Sequence, residues 1–455
     1  MSPSRLGSPG VTLSLIIAAS VFSTAPAAVF ASDAPPSPSS FLPPWIDRND
    51  VPLAAGIRSI VPKKDELPIF TEPGRVTARR GTLPKGSRAP LFGTRRGPSC
   101  VGRWLNVGPL AWVCSDLTLF SDESPQPSPT LLTETNDGLP YRYFFVGKEG
   151  AYAWDRLERA NDDSPDAEID SGFAVAAVEE RTAFGERWIK TSKGRWVQAR
   201  DLAAAHPSAF SGELLRPDDR LDFGWIVVDK SLTRAKPSGA GKALGLRMRF
   251  ERVTITEVRG TGPSAWLRIS KPTEPEAWIT ARDVARPTMA RRPTEIEDNE
   301  RWIDVELATQ TLVAYEGDRP VFSTLVSTGR GPQGSETATP LGTNRIWVKL
   351  HTSTMDNLER RDDAPADTAA ASIDEEASRL YSLDDVPYVQ FFNKAVALHG
   401  VFWHRNFGRV QSHGCVNVAP KDARFLFDFT GPHLPRGWSA ALPTSVDKGT
   451  LVRVR

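Results

Sequence analysis

A chain of 455 residues has room for roughly three domains. Lys+Arg 56 against Asp+Glu 55 leaves no basic footprint, which excludes nucleic acid as an expected partner. With Trp at 13 and Pro at 38, the composition favours strands, turns and linkers over long helices.

The N-terminus reads as a targeting segment. Arg5 supplies positive charge, Val11 to Phe22 form a short apolar core, and Val29-Phe30-Ala31 is the expected cleavage site, so residues 1–31 are assigned as a signal peptide. A core of about 12 residues is short for a membrane span, which takes about 20. An uncleaved anchor is the alternative. No later segment is apolar enough to span, so after cleavage the protein is expected to have no transmembrane segment. It is expected in the periplasm or cell envelope. Residues 32–50 are rich in Pro and Ser and read as a linker.

A degenerate repeat follows, with a period of about 80 residues. Its signature is two tryptophans on adjacent strand-like segments, closed by an aspartate and an aliphatic residue. The copies run Trp104, Trp112, Asp116-Leu117; Trp188, Trp196, Asp201-Leu202; and Trp266, Trp278, Asp283-Val284. Short alternating strands with frequent Gly and Pro argue for small β-barrels, expected at 51–122, 140–206 and 207–288. The copies resemble bacterial SH3-like domains. Their tryptophans either bind peptidoglycan or form the cores of spacer modules.

Export to an oxidising compartment gives meaning to the cysteines. Cys100 and Cys114 bracket an expected hairpin from Val101 to Val113 and are the natural disulfide pair. Closing such a loop contributes about 3 kcal/mol in the chain-entropy model. Cys415 is left over.

Past a polar boundary at 291–300, strands are expected at Ile303–Leu307, Thr311–Tyr315, Val321–Thr328, Asn344–Leu350 and Thr450–Val454. Residues 354–385 form an acidic, Ala-rich insertion, expected to be either a lid over a cleft or a surface loop. A helix is expected from Pro420, with Ala423, Leu426, Phe427 and Thr430 on one face and Gly431-Pro432 as its stop. The C-terminal domain, 301–455, thus reads as mainly β.

Residues 399–417 hold His399-Gly400, Trp403, His404, Arg405, Arg409 and then Ser412-His413-Gly414-Cys415-Val416-Asn417. A thiol with an ordinary pKa of about 8.5 is mostly protonated at neutral pH and needs an imidazole to take its proton. Gly414 allows a tight turn, and the amides of Gly414 and Cys415 are positioned by sequence to face an oxyanion, a contribution of about 3 kcal/mol. Zinc is the competing class, with His399, His404, His413 and Cys415 as ligands. The segment lacks the paired spacing of familiar zinc sites, so no metal is expected.

Ser412 to Asn417 resembles the signature of the L,D-transpeptidase (YkuD) catalytic domain. His399-Gly400 resembles that family's other catalytic segment, and Thr339-Pro340-Leu341-Gly342 its Thr-Pro loop. The resemblance implies a β-rich catalytic domain in which Cys415 is the nucleophile and His399 the general base. Gly400 would orient His399, Gly414 would supply an oxyanion amide, and His413 would shape the pocket. His404 matches no catalytic position and is expected to pack or face solvent. Thr339, Trp403, Arg405, Arg409, Ser412 and Asn417 are the candidate substrate contacts, the arginines as carboxylate partners. The implied substrate is a peptidoglycan stem tetrapeptide, and D-alanine leaves as a Cys thioester forms. An amine on a neighbouring stem or on an outer-membrane protein then takes the acyl group, without cofactor. Water as acceptor would make an L,D-carboxypeptidase. An idle, wall-binding scaffold is the reading outside catalysis, and intact His399 and Cys415 speak against it. The resemblance also implies acylation by carbapenems.

Overall fold

The structure, a computed structural model, describes residues 56–128, 135–161, 164–358 and 381–455. The expected signal peptide and linker, and residues 359–380 of the insertion, lie outside the described residues. The rest is mostly strand, with α1 (Pro420–Phe429) the one α-helix among the described residues.

Each Trp repeat folds the same way. In the first copy Trp104–Gly108 and Ala111–Cys114 form the hairpin, and the disulfide joins Cys100 to Cys114 with Cα atoms 5.6 Å apart. A 3₁₀ turn, Ser115–Leu117, then leads to Thr118–Ser121, which returns to pair with Ser59–Pro62. In the second, Glu186–Thr191 pairs with Trp196–Gln198, and after the turn Ala199–Asp201 the chain returns to Arg142–Val146. In the third, Trp266–Arg268 pairs with Trp278–Thr280, and after Ala281–Asp283 it returns to Phe223–Ile226. The repeated aspartate ties down its surroundings: Asp116 accepts the amides of Val101 and Gly102, and Asp283 the hydroxyl of Thr280.

The tryptophans face inward. Trp104, Trp112, Trp188, Trp196 and Trp278 are buried, and Trp266 is half-buried. The indole N–H groups of Trp104 and Trp188 find main-chain carbonyls at Pro98 and Ala183, as buried indoles require. These rings are core, so any wall contact by the modules runs through other side chains.

The C-terminal domain begins with three antiparallel strands, Arg301–Glu306, Thr311–Glu316 and Arg319–Ser327; the final strand, Leu451–Val454, lies parallel to the first. Arg319–Ser327 pairs with Val416–Val418, which runs parallel to Val396–Gly400. A long hairpin, Val348–Asp356 with Ser382–Asn393, extends the sheet from there. Helix α1 lays Ala423, Leu426 and Phe427 on a core with Ile303, Leu312, Tyr388, Leu398 and Val416.

Three expected boundaries differ. Asn344–Leu350 is two strands, Gly342–Arg345 and Val348–Asp356, because Ile346 turns inward and breaks the run. Both flanks of the 354–385 insertion belong to the long hairpin, which the acidic composition disguised. The third module's own sheets begin at Phe223, whereas Glu213–Leu214 pairs with Arg319–Ser327 of the C-terminal sheet.

Candidate active site

Parallel strands need a long crossover, and here residues 401–415 provide it between Val396–Gly400 and Val416–Val418. The register sets His399 opposite Asn417 and Leu398 opposite Val416. Side chains alternate along a strand, so Cys415, two before Asn417, falls on the same face as His399, with its Sγ 3.9 Å from the Ala395 carbonyl oxygen.

Cys415 is half-buried and the free cysteine among the described residues. With Trp403, Leu350, Met355, Leu383 and Phe391 it packs against Val386, Val389 and Ala397. Burial pushes its thiol pKa up, opposed by a backbone hydrogen bond from Ala397. His399 is buried, and burial pushes its pKa down to about 4. Its Nδ1 lies 3.0 Å from the Gly400 carbonyl oxygen. A carbonyl only accepts, so Nδ1 carries the proton and Nε2 keeps a basic lone pair. The resting pair is therefore a neutral thiol and a neutral imidazole. Gly400 fits because a Cβ there would meet Ala423 Cβ and Pro387 Cγ, each at 3.1 Å.

The turn carrying the cysteine is braced from behind. Gly414 has φ +124°, a region that favours glycine. Thr339 Oγ1 donates to the Gly414 carbonyl at 2.7 Å and accepts the Gly329 amide at 2.8 Å. Ser412 Oγ donates to the Cys415 carbonyl at 2.5 Å and accepts the Gly414 amide at 3.1 Å. The Thr-Pro loop and the cysteine motif therefore meet at one turn, and His399-Gly400 lies on the strand paired with the one that follows it. In this state the Gly414 N–H is committed to Ser412, and an oxyanion role requires that bond to be exchanged.

The expected substrate contacts divide. Thr339, Ser412 and Asn417 are buried and hold the turn, so they are struts. Arg405 places both its hydrogen bonds on the His206 carbonyl, at 3.0 and 2.8 Å, pinning the connector between modules two and three. Arg409 is exposed. Trp403 is half-buried, its ring 5.8 Å from that of His399 with 27° between planes. His413 is exposed; its Nε2 lies 2.6 Å from Arg330 Nη2 and its ring is parallel to Tyr381. Arginine only donates, so Nε2 accepts there.

His404 is half-buried and packs against Trp403 and Phe407. Its Nδ1 accepts the Asn406 amide at 3.2 Å, which puts its proton on Nε2, 2.8 Å from Asn417 Nδ2. Two donors then face each other, while Asn417 Oδ1 is buried without a partner. Exchanging oxygen and nitrogen of the Asn417 amide removes the donor–donor clash and gives Oδ1 the His404 Nε2 proton, and we assign it so. Burial, then the neighbouring His399, pushes the His404 pKa down to about 4. Arg330 and Tyr381 were not legible as site residues. Arg330 follows the Ser327-Thr328-Gly329 strand end, a signal available in retrospect, and Tyr381 sits inside the acidic insertion.

Residues 300–454 match the L,D-transpeptidase catalytic domain family. No curated protein matches the chain. Among solved structures it is similar to a mutant of the Enterococcus faecium L,D-transpeptidase, with 22% identity over 35% of this chain and 50% of that one, TM-score 0.24. An L,D-transpeptidase fragment from Xylanimonas cellulosilytica shares 21% identity over 36% and 65% of the two chains, TM-score 0.22. One from Mycobacterium smegmatis shares 16% over 54% and 100%, TM-score 0.25. The chain thus spans half the length of the Enterococcus protein. The family match makes residues 300–454 an L,D-transpeptidase catalytic domain.

Proposed function

We propose that the protein is an exported peptidoglycan L,D-transpeptidase working through a Cys415 thioester. The observation that supports this is the parallel register that puts Cys415 and His399 on one face of neighbouring strands, with the His399 Nδ1 proton directed at the Gly400 carbonyl. Cys415 Sγ attacks the carbonyl carbon between the L centre of a stem diamino acid and the terminal D-alanine, and the thiol proton passes to His399 Nε2. The oxyanion forms at the turn, where the Gly414 amide exchanges Ser412 for it. Collapse breaks the C–N bond, His399 returns the proton to the departing D-alanine nitrogen, and a thioester remains. An amine on a neighbouring stem or an outer-membrane protein then attacks, loses its proton to His399 Nε2, and expels the thiolate, which recovers that proton.

A neutral resting pair suits this sequence. General-base transfer at the moment of attack needs a free imidazole lone pair, not a preformed ion pair. The three upstream units act as SH3-like modules that hold the catalytic domain at the wall.

Incubation with purified disaccharide-tetrapeptide tests the reading. Mass spectrometry should find loss of D-alanine and cross-linked dimers, and Cys415→Ala should abolish both while melting as wild type does. Tripeptide product without dimers would make the enzyme a carboxypeptidase. Turnover by folded Cys415→Ala would remove the nucleophile.

A further inference from the structure

His399 is oriented by one hydrogen bond, to the carbonyl of its own neighbour. A single bond to an adjacent residue leaves the ring free to tilt unless something packs against its face. That face meets Trp403, and behind Trp403 a continuous stack leaves the catalytic domain. Phe402 meets Trp403 edge-on, with centroids 5.1 Å apart and 85° between planes. Phe402 then lies flat on Tyr143 of the second module, at 3.8 Å and 12°. Phe402 and Tyr143 are both buried, in a cluster with Leu139, Tyr141, Ala174 and Ala176.

The same tyrosine grips the strand that lines the cysteine. Tyr143 Oη donates to the Asp385 carbonyl at 2.6 Å. The Asp385 carboxylate accepts the hydroxyls of Ser192, also in the second module, and of Thr352. Asp385 has φ +50° and Tyr388 φ +58°, rare conformations for residues with a Cβ and costly for tyrosine. Tyr388 is tethered as well, its Oη donating to the Gly138 carbonyl at 2.8 Å. Ala174 pairs with Leu383, and Leu383 packs both with Cys415 and with the Tyr143 cluster. Two strained residues in one strand, each held from the 138–143 segment, mark a strand whose path the second module imposes.

We infer that the second module is part of the catalytic apparatus, and that Tyr143 is a positioning residue that fixes His399 through Phe402 and Trp403. The inference rests on the reading of Cys415 and His399 as nucleophile and base. Tyr143 touches neither reacting atom. It holds the aromatic wall behind the imidazole and the strand beside the thiol, so the Nε2 lone pair faces the sulfur.

The test is iodoacetamide alkylation of Cys415 in the full chain, followed by mass spectrometry across pH. In that reaction an S–C bond forms, iodide leaves, and the thiol proton goes to His399 Nε2 where the imidazole is in place. Wild type should then react at rates that change little down to about pH 5, whereas His399→Ala should slow steadily as pH falls. Tyr143→Leu removes stack and hydroxyl, and should react at least about ten-fold slower than wild type near pH 6, approaching His399→Ala. Tyr143→Phe keeps the stack but loses the Asp385 hydrogen bond, and should react at a rate between those of wild type and Tyr143→Leu. A merely structural role would lower melting temperature without moving this pH profile. If Tyr143→Leu does not fold, Phe402→Leu breaks the same contact from the other side. A folded Tyr143→Leu or Phe402→Leu whose profile overlays wild type overturns the inference, as does a wild type that overlays His399→Ala. Wild type that shows the imidazole-dependent profile yet releases no D-alanine from tetrapeptide would sink the transpeptidase reading and leave the positioning role standing.

Discussion

At the scale of single residues, the chemistry turns on burying an imidazole without charging it. His399 Nδ1 gives its proton to a carbonyl, which fixes the tautomer, and burial disfavours the imidazolium. The sign follows directly. With the pKa pushed down to about 4, the His399 imidazole is neutral above that pH, and the proposed base would be lost as pH falls through it. The first-order rate of acylation by a saturating carbapenem should therefore hold from pH 7 to about pH 5 and drop below. An acid limb centred near the ordinary histidine value of about 6.5 would show that the imidazole is solvated in the working state. The placement of Cys415 and His399 on neighbouring strands of one domain was legible because the motifs that carry them resemble those of one family. That of His404 was not, since it depends on the crossover loop returning it to Asn417, a tertiary contact with no local signature.

At the scale of elements, helix α1 was readable almost to the residue: proline at its first position, an apolar face and a Gly-Pro stop are all local signals. Its third residue carried no such signal. Asp422 is buried and accepts the Gly212 amide, the Ser211 hydroxyl at 3.0 Å and the Thr324 hydroxyl. It thereby clamps the segment leading to the third module onto Arg319–Ser327. The approach is close enough that a Cβ on Gly212 would sit 2.3 Å from the Ser323 carbonyl oxygen. Asp422→Ala would strand these donors in the interior, at a cost of about 2–4 kcal/mol. A lowered melting temperature, with faster hydrogen exchange at 212–214, is the expected result. Unchanged exchange there would mean that the strand pairing alone holds the segment. The long hairpin strand Ser382–Asn393 was hidden for a related reason. Its two left-handed residues break the alternation that marks a strand, and the acidic insertion before it masks its start.

At the scale of the whole molecule, the three modules attach to the catalytic domain at different places. The first pairs Arg79–Leu83 with Ala440–Ala441 and takes Trp438 into its core. The second holds the hairpin strand at 383–388 and Phe402. The third packs Phe223 and Trp225 with Leu325, Val401 and Phe407. The Trp repeat announced the modules, but not these attachments, because they lie outside its signature.

Unequal attachment gives unequal consequences, and the disulfide offers a way to read them. The Cys100–Cys114 link closes a short loop within the first module, contributing about 3 kcal/mol in the chain-entropy model. The double variant Cys100→Ala/Cys114→Ala spares Cys415 from any reductant. Loss of the link should loosen the hairpin that carries Trp104 and Trp112, and with it the Arg79–Leu83 edge. That edge meets the catalytic domain at Ala440–Ala441, whereas the cysteine turn is braced by Thr339, Ser412 and the second-module contacts. The double variant should therefore melt at lower temperature, with hydrogen exchange quickened in 59–121, while carbapenem acylation of Cys415 stays within about two-fold of wild type. A ten-fold loss of acylation, of the order expected when a catalytic group is misplaced, would show instead that strain in the first module reaches the nucleophile turn through 438–441.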